Sequence, residues 1–304
     1  MAQPVTTVVG YDGSPTAQAA LGFAAERGGP SGRVIAVYVA TAPSTFVDTP
    51  YYEPALAHAR ERAECALHEA EDHLGGVQVD LRMVEGPPAR ALVSSARDAD
   101  ADEIVVGSRG FGGVRAAALG STSHALLHEA DRPVIVLTPR AAERHVRRSA
   151  AGGAPSRPTT VVGWDGSDAA RSALRYAAKR ARGNGGTLLV VSAYEPPANF
   201  LGTPYYERAL ADSQARAREL LAQLDREETF GVDVDTDLAE GPPAQALARA
   251  AATRDAREIV VGSRGLGRFR AALGSVSHEL LHETDCAVVV VPRPEAADRD
   301  PPPA

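Results

Sequence analysis

The chain is poor in cysteine: Cys65 and Cys286 are the only two in 304 residues, one in each half and in no CxxC spacing. Neither a disulfide framework nor a thiolate zinc site is expected, and both are read as small side chains in packed positions. Positive charge is in deficit, with 32 Lys and Arg against 39 Asp and Glu, and the basic residues form no dense patch. Phosphate-backbone binding needs clustered cations, so nucleic acid is excluded as the main partner. No apolar run approaches the roughly 18 residues of a membrane span. The chain enters the β-branched run around Val5, Val8 and Val9 without a basic segment before it, so no signal peptide is expected and the cytoplasm is the expected compartment.

What the chain has is repetition. VVGYDGS, ending at Ser14, returns as VVGWDGS, ending at Ser167; TPYYE at Thr49 returns at Thr203. EGPPARAL at Glu85 returns as EGPPAQAL at Glu240, and SHALLHEAD at Ser123 returns as SHELLHETD at Ser277. The offset stays close to 154 residues, too long for a solenoid repeat and right for a duplicated domain. The expected division is 1–139, a linker at 140–158, a second domain at 159–293 and a disordered tail at 294–304. The linker is read as a solvated spacer on its Arg, Ala, Gly and Pro content.

Within the first copy, short β-branched runs at Thr6 to Gly10, Val34 to Val39, Val77 to Val84, Ile104 to Val106 and Val134 to Leu137 alternate with four helical segments. Ser14-Pro15 and Pro87-Pro88 open two of the helices. Leu56, Ala63, Leu67, Ala70 and Leu74 stripe a third, which Gly75-Gly76 ends. Five strands alternating with four helices predict a parallel sheet covered on both faces, with right-handed crossovers. The last strands of the two copies, Pro133 to Leu137 and Ala287 to Val291, are very apolar for sheet edges. They are expected to pair with one another, making a built-in dimer.

The densest conservation between the copies is EIVVGSRGFGGVRAAALGSTSH, from Glu103, and EIVVGSRGLGRFRAALGSVSH, from Glu258. A glycine-rich turn after a strand lets the backbone approach a phosphate closely, and the helix that follows offers unpaired N–H groups and a positive dipole end. The lysine of GxxxxGK[ST] is missing, and so is GxGxxG, which rules out a Walker loop and a dinucleotide fingerprint.

Gly107, Gly110, Gly120 and Ser121 follow the spacing G-x2-G-x9-G-S, and on this motif and the repeated Asp-Gly-Ser the chain resembles the universal stress protein family, in its tandem two-domain form. The resemblance implies two five-stranded parallel doubly wound sheets of order 3-2-1-4-5, each binding ATP, with or without Mg²⁺, at the C-terminal ends of strands one and four. It implies Asp12 beside the adenosine, the backbone of Val39 at the adenine edge, and Gly107, Gly110, Gly120, Ser121 and Thr122 at ribose and phosphates. The counterparts are Asp165, Ala193, Gly262, Gly265, Gly274, Ser275 and Val276, but only eight residues separate Gly265 from Gly274. Arg264, Arg268 and Arg270 give that copy more positive charge near a triphosphate than Arg109 and Arg115 give the first.

Two features point elsewhere. His278-Glu279-Leu280-Leu281-His282 matches the H-E-x-x-H pattern of zinc proteases, but the first copy keeps His124 and His128 while placing Ala125 at the glutamate, and no third ligand follows at a familiar spacing. A solvated or packed histidine pair is the reading taken. Phe46, Tyr51, Tyr52 and Phe200, Tyr205, Tyr206 lie at the mouth of the expected pocket, read as packing of a long connection, with adenine contact or a lid as the alternative. With no nucleophile-base pair, metal cluster or Walker lysine, the expected function is a nucleotide-dependent regulatory or stress role, not rapid catalysis. A slow ATP hydrolase or phosphoryl- or adenylyl-transferring enzyme, and a nucleotide-free interaction scaffold, stand as alternatives. Protein partners are unidentified, and association of two chains is left open.

Overall fold

A computed structural model describes residues 4–41, 48–73, 79–110, 119–152, 157–195, 205–225, 227–263 and 274–293. The first copy runs β1 (Thr6–Gly10), α1 (Pro15–Gly28), β2 (Arg33–Ala40), α2 (Tyr52–His73), β3 (Val79–Glu85), α3 (Pro88–Asp98), β4 (Glu103–Gly107), α4 (Ser121–Glu129) and β5 (Val134–Leu137). After α5 (Pro139–Ala150) the second copy runs β6 (Thr159–Gly163), α6 (Asp168–Asn184), β7 (Thr187–Tyr194), α7 (Tyr206–Ala222), β8 (Val234–Glu240), α8 (Pro243–Thr253), β9 (Glu258–Gly262), α9 (Ser275–Glu283) and β10 (Ala287–Val291). Helix starts follow the capping chemistry of the sequence. Ser14 accepts from the N–H of Ala17 ahead of α1, Ser167 accepts from that of Ala170 ahead of α6, and prolines open α1, α3 and α8.

The strands form one sheet, in the order β3-β2-β1-β4-β5-β10-β9-β6-β7-β8. Pairing is parallel within each half and antiparallel at the single junction β5–β10, where Ile135 faces Val289. The expected pairing of the two last strands is present, and it goes further than a docking of two five-stranded sheets: the apolar edges satisfy each other's backbone groups and join the halves into one ten-stranded sheet. Neighbouring residues of a strand point to opposite faces, so Val8 and Val9, both fully buried, serve different cores. One core holds Val9, Phe23, Ile135, Leu174 and Val289; the other holds Val8, Leu92, Ile104, Leu247 and Val288. Each draws on both halves, so the seam is packed as interior.

The spacer reading of 140–158 does not hold for its first part. Thr138 and Pro139 repeat the cap-and-proline start of α1, with Thr138 Oγ1 accepting from the N–H of Ala141 at 3.1 Å. Composition obscured this, because the Arg and Ala that suggested a spacer are also good helix formers. Ala141 and Ala142 are buried, and Arg144 reaches across the seam to the carbonyl of Ala256 at 2.8 Å and to the Asp255 carboxylate. Thr138→Ala is expected to cost about 1 kcal/mol in urea unfolding. Residues 153–156 and the tail from 294 lie outside the described residues, as do Leu74, Gly75 and Gly76. The cysteine reading holds for Cys286, which is buried, but Cys65 is exposed, on the outward face of α2 beside the buried Ala63 and Ala66.

Beneath the seam lies a polar cluster with no sequence signature. Arg27, from α1, donates to Glu103 of its own half at 3.1 Å and to Glu258 of the other, and its third nitrogen reaches the Tyr176 hydroxyl at 2.8 Å. Thr7 and Thr160 donate to the same two carboxylates. Arg180 adds an ion pair to Glu103 at 3.8 Å and donates to the carbonyl of Arg27. Burial alone would push the Glu103 carboxyl up, but Arg27 and Arg180 hold it below the usual carboxylate range.

Candidate functional site

The cleft of the first half follows from the direction of the crossovers. From β1 the chain moves outward to β2, and from β4 it moves the other way to β5, so nothing crosses between the C-terminal ends of β1 and β4. A cavity of about 410 Å³ opens there, within the size range of small-molecule sites. Asp12, Val39, Gly107, Gly110, Gly120, Ser121 and Thr122, seven residues named from the sequence, all line it.

Hydrogen bonds fold the loop back on itself. Ser108 donates to the carbonyl of Leu137 at 2.7 Å, prolonging the ladder past β4, and Gly120 N–H donates to the carbonyl of Ser108 at 2.6 Å. The start of the glycine turn and the start of α4 are thereby held together around residues 111–118, which are not described. Ser123 Oγ donates to the carbonyl of Gly107 at 2.8 Å. The N-cap of α4 is Gly120, which carries no side chain to satisfy the first helical N–H groups, so they and the dipole's positive end are available to an anion.

Two glycines are required by close approach. A Cβ on Gly110 would lie 2.1 Å from Asp12 Oδ2, and one on Gly107 would lie 2.7 Å from Thr16 Oγ1. Asp12 is itself fixed, its Oδ1 accepting from the N–H of Ser14 at 3.0 Å around Gly13 at φ 81°. Thr16 ties the other side by donating to the carbonyl of Arg109. Arg62 and Arg109 bring positive charge to the wall, and the buried Nε of Arg109 finds no hydrogen-bond partner among the described residues. Tyr38, Pro88 and Leu92 complete an apolar side.

The second half repeats the frame. Ser167 N–H donates to Asp165 Oδ1 at 3.0 Å, Gly274 N–H donates to the carbonyl of Ser263 at 3.0 Å, and α9 begins at Ser275 behind a glycine cap. Ala193 is the next-to-last residue of β7, Val276 sits in the first turn of α9, and Gly262 packs against Ala169. Gly265 and its arginine neighbours, Arg264, Arg268 and Arg270, lie outside the described residues. Two polar groups are lost by substitution: Ala169 stands where the first copy has Thr16, and Val276 where it has Thr122.

Sequence reasoning missed Tyr38, Arg62 and Leu92 on the cavity wall and Thr16 holding the loop, because an isolated residue on a helix or strand gives no sign of what it meets. Among the residues expected at the mouth, Tyr51 and Tyr205 are largely exposed, while Phe46 and Phe200 lie outside the described residues. The rings of His124 and His128 lie 4.7 Å apart and those of His278 and His282 5.3 Å apart. Among the described residues no group of three or more His, Cys, Asp or Glu could hold a metal ion, and no helix is long and apolar enough to cross a membrane.

Fold and cleft define a tandem α/β protein of doubly wound type with a cleft at the switch point. The profile of the universal stress protein family matches twice, over residues 6–138 and 157–292, and the chain belongs to that family. It is 30% identical over 299 residues to a universal stress protein of Mycolicibacterium smegmatis, covering 93% of this chain and 96% of that one. A Thermus aquaticus universal stress protein is 39% identical over 135 residues, 44% of this chain and 97% of its own length. Among solved structures, a universal stress protein of Archaeoglobus fulgidus superposes with a TM-score of 0.64 at 20% identity, covering 96% of this chain and 98% of that one.

Proposed function

We propose that the cleft of the first half binds ATP, and that the chain is a nucleotide-dependent regulatory protein of the stress response, not a rapid catalyst. The observation that carries this reading is the glycine cradle: Gly110 leaves just enough room beside Asp12 for backbone alone, facing a helix whose first N–H groups have no side-chain cap. Gly107, Gly110, Gly120, Ser121 and Thr122 would take ribose and phosphates, Asp12 the adenosine, and the Val39 backbone the adenine edge. Arg109, with an unsatisfied nitrogen on the wall, suits an anionic ligand. Any accompanying Mg²⁺ would be held largely by phosphate oxygens and water, with Asp12 the carboxylate on the cavity wall.

In this reading the two halves, each of strand order 3-2-1-4-5, act as a fused pair in place of a dimer of single domains. Protein partners would read the loaded state in the cytoplasm. The second half favours a different role, because losing the hydroxyls of Thr16 and Thr122 removes one tether of the loop and one donor to a ligand. Nucleotide-free scaffolding fits that half best. Mass spectrometry of small molecules released by denaturing the purified chain tests both readings. One adenine nucleotide per chain is expected; none, in either purified or ATP-soaked protein, would refute the proposal.

A further inference from the structure

A second, much smaller cavity lies at the seam, far from the cleft in the chain, where α5 crosses from one half to the other. It is small, about 20 Å³, with room for a sphere of water or halide size. Glu26, Arg144, His145, Arg148, Arg257 and Asp285 supply its polar lining, three arginines against two carboxylates. The cations are unequally engaged. Arg144 is taken up by Asp255, Asp285 and the carbonyl of Ala256. Arg257 is nine-tenths buried and stacks over Phe23 at 5.0 Å; its Nη1 pairs with Glu26 at 3.1 Å while its Nη2 finds no partner among the described residues.

An unsatisfied buried guanidinium nitrogen costs free energy unless something in the adjoining space accepts its proton. Glu26 cannot satisfy it alone, because the same carboxylate also faces His145 Nδ1 at 3.5 Å. We propose that this cavity is a binding site for a single monatomic anion of the halide class, chloride in a cell, held by Arg257 and Arg148. The anion would tie α5, through Arg148, to the start of β9, through Arg257, and so clamp the connecting helix onto both halves.

Histidine provides a built-in reporter. Burial holds His145 below the usual histidine range, Glu26 opposes this, and Arg257 and Arg148 push the same way as burial. An anion between those arginines would reverse part of their effect. The full chain should be compared in sodium chloride and sodium gluconate at equal ionic strength, by thermal unfolding, by NMR titration of His145 and by chloride-35 line broadening. The expected result is a saturable rise in Tm with chloride only, a higher His145 pKa in chloride, and broadening that Arg148→Gln abolishes. Arg148 is partly exposed, so that variant leaves the Arg257–Glu26 pair and the packing in place. Identical behaviour in the two salts would overturn the proposal in favour of a water, and a chloride effect that survives in Arg148→Gln would overturn the assignment to this site.

Discussion

Arg27→Ala is expected to lower the stability of the folded chain by about 3–5 kcal/mol in denaturant unfolding, the usual cost of leaving buried charge unpaired. The side chains of Arg27, Glu103 and Glu258 are each at most 3% exposed, and one guanidinium serves both carboxylates. Its removal leaves the two acids, among the described residues, to Arg180, Tyr176, Thr7 and Thr160, with Arg257 also acting on Glu258. The deficit should depend on pH, with a sign that can be worked out. Glu103 titrates below its unfolded value in the native chain, so its contribution is present above the ordinary carboxylate pKa and is lost as pH falls through the folded one. Without Arg27, burial raises the same group and protonation relieves it. The gap between native and variant chains should therefore be widest near neutrality and narrow on acidification. A deficit under about 1 kcal/mol at neutral pH would mean that the cluster is solvated or relaxes freely.

Gly110→Val is expected to weaken ATP binding by about 100-fold or more, equivalent to roughly 2.7 kcal/mol, in isothermal titration. The new Cβ would fall 2.1 Å from Asp12 Oδ2, so either the carboxylate or the loop must move, and both belong to the cleft. The effect should be confined to binding, because the turn sits outside the two cores and Gly110 is itself exposed. Unchanged affinity in a folded variant would remove the loop from the nucleotide site. Gly265→Val, in the second half, should leave the first-half affinity intact.

The strands and the glycine loop were legible because their information is local. Val8, Val9, Ile104 and Val105 declare buried strands by composition, and Gly107 to Ser121 carries its geometry in its spacing. Duplication made the rest of the frame legible, since a pattern that occurs twice at one offset marks a repeated structural unit. The polar cluster at the seam was invisible for the opposite reason: Arg27 and Glu258 are 231 positions apart, and each alone looks like a surface charge. The duplication was itself misleading there. Arg27 and Arg180 occupy matching positions, as do Glu103 and Glu258, yet only Arg27 bridges both acids. For α5, composition pointed to a spacer while the Thr138-Pro139 cap, read locally, marked a helix.

The antiparallel join of β5 to β10 has a consequence for what the chain can touch. Every strand of one half runs against every strand of the other, so the C-terminal ends of β1 and β4, which frame the cleft, and those of β6 and β9 point to opposite rims of the sheet. The molecule is two-headed. A molecule seated over Gly110 lies on the opposite rim from Gly274, so under the proposed function a partner that reads the loaded first cleft would leave the rim of the second half free.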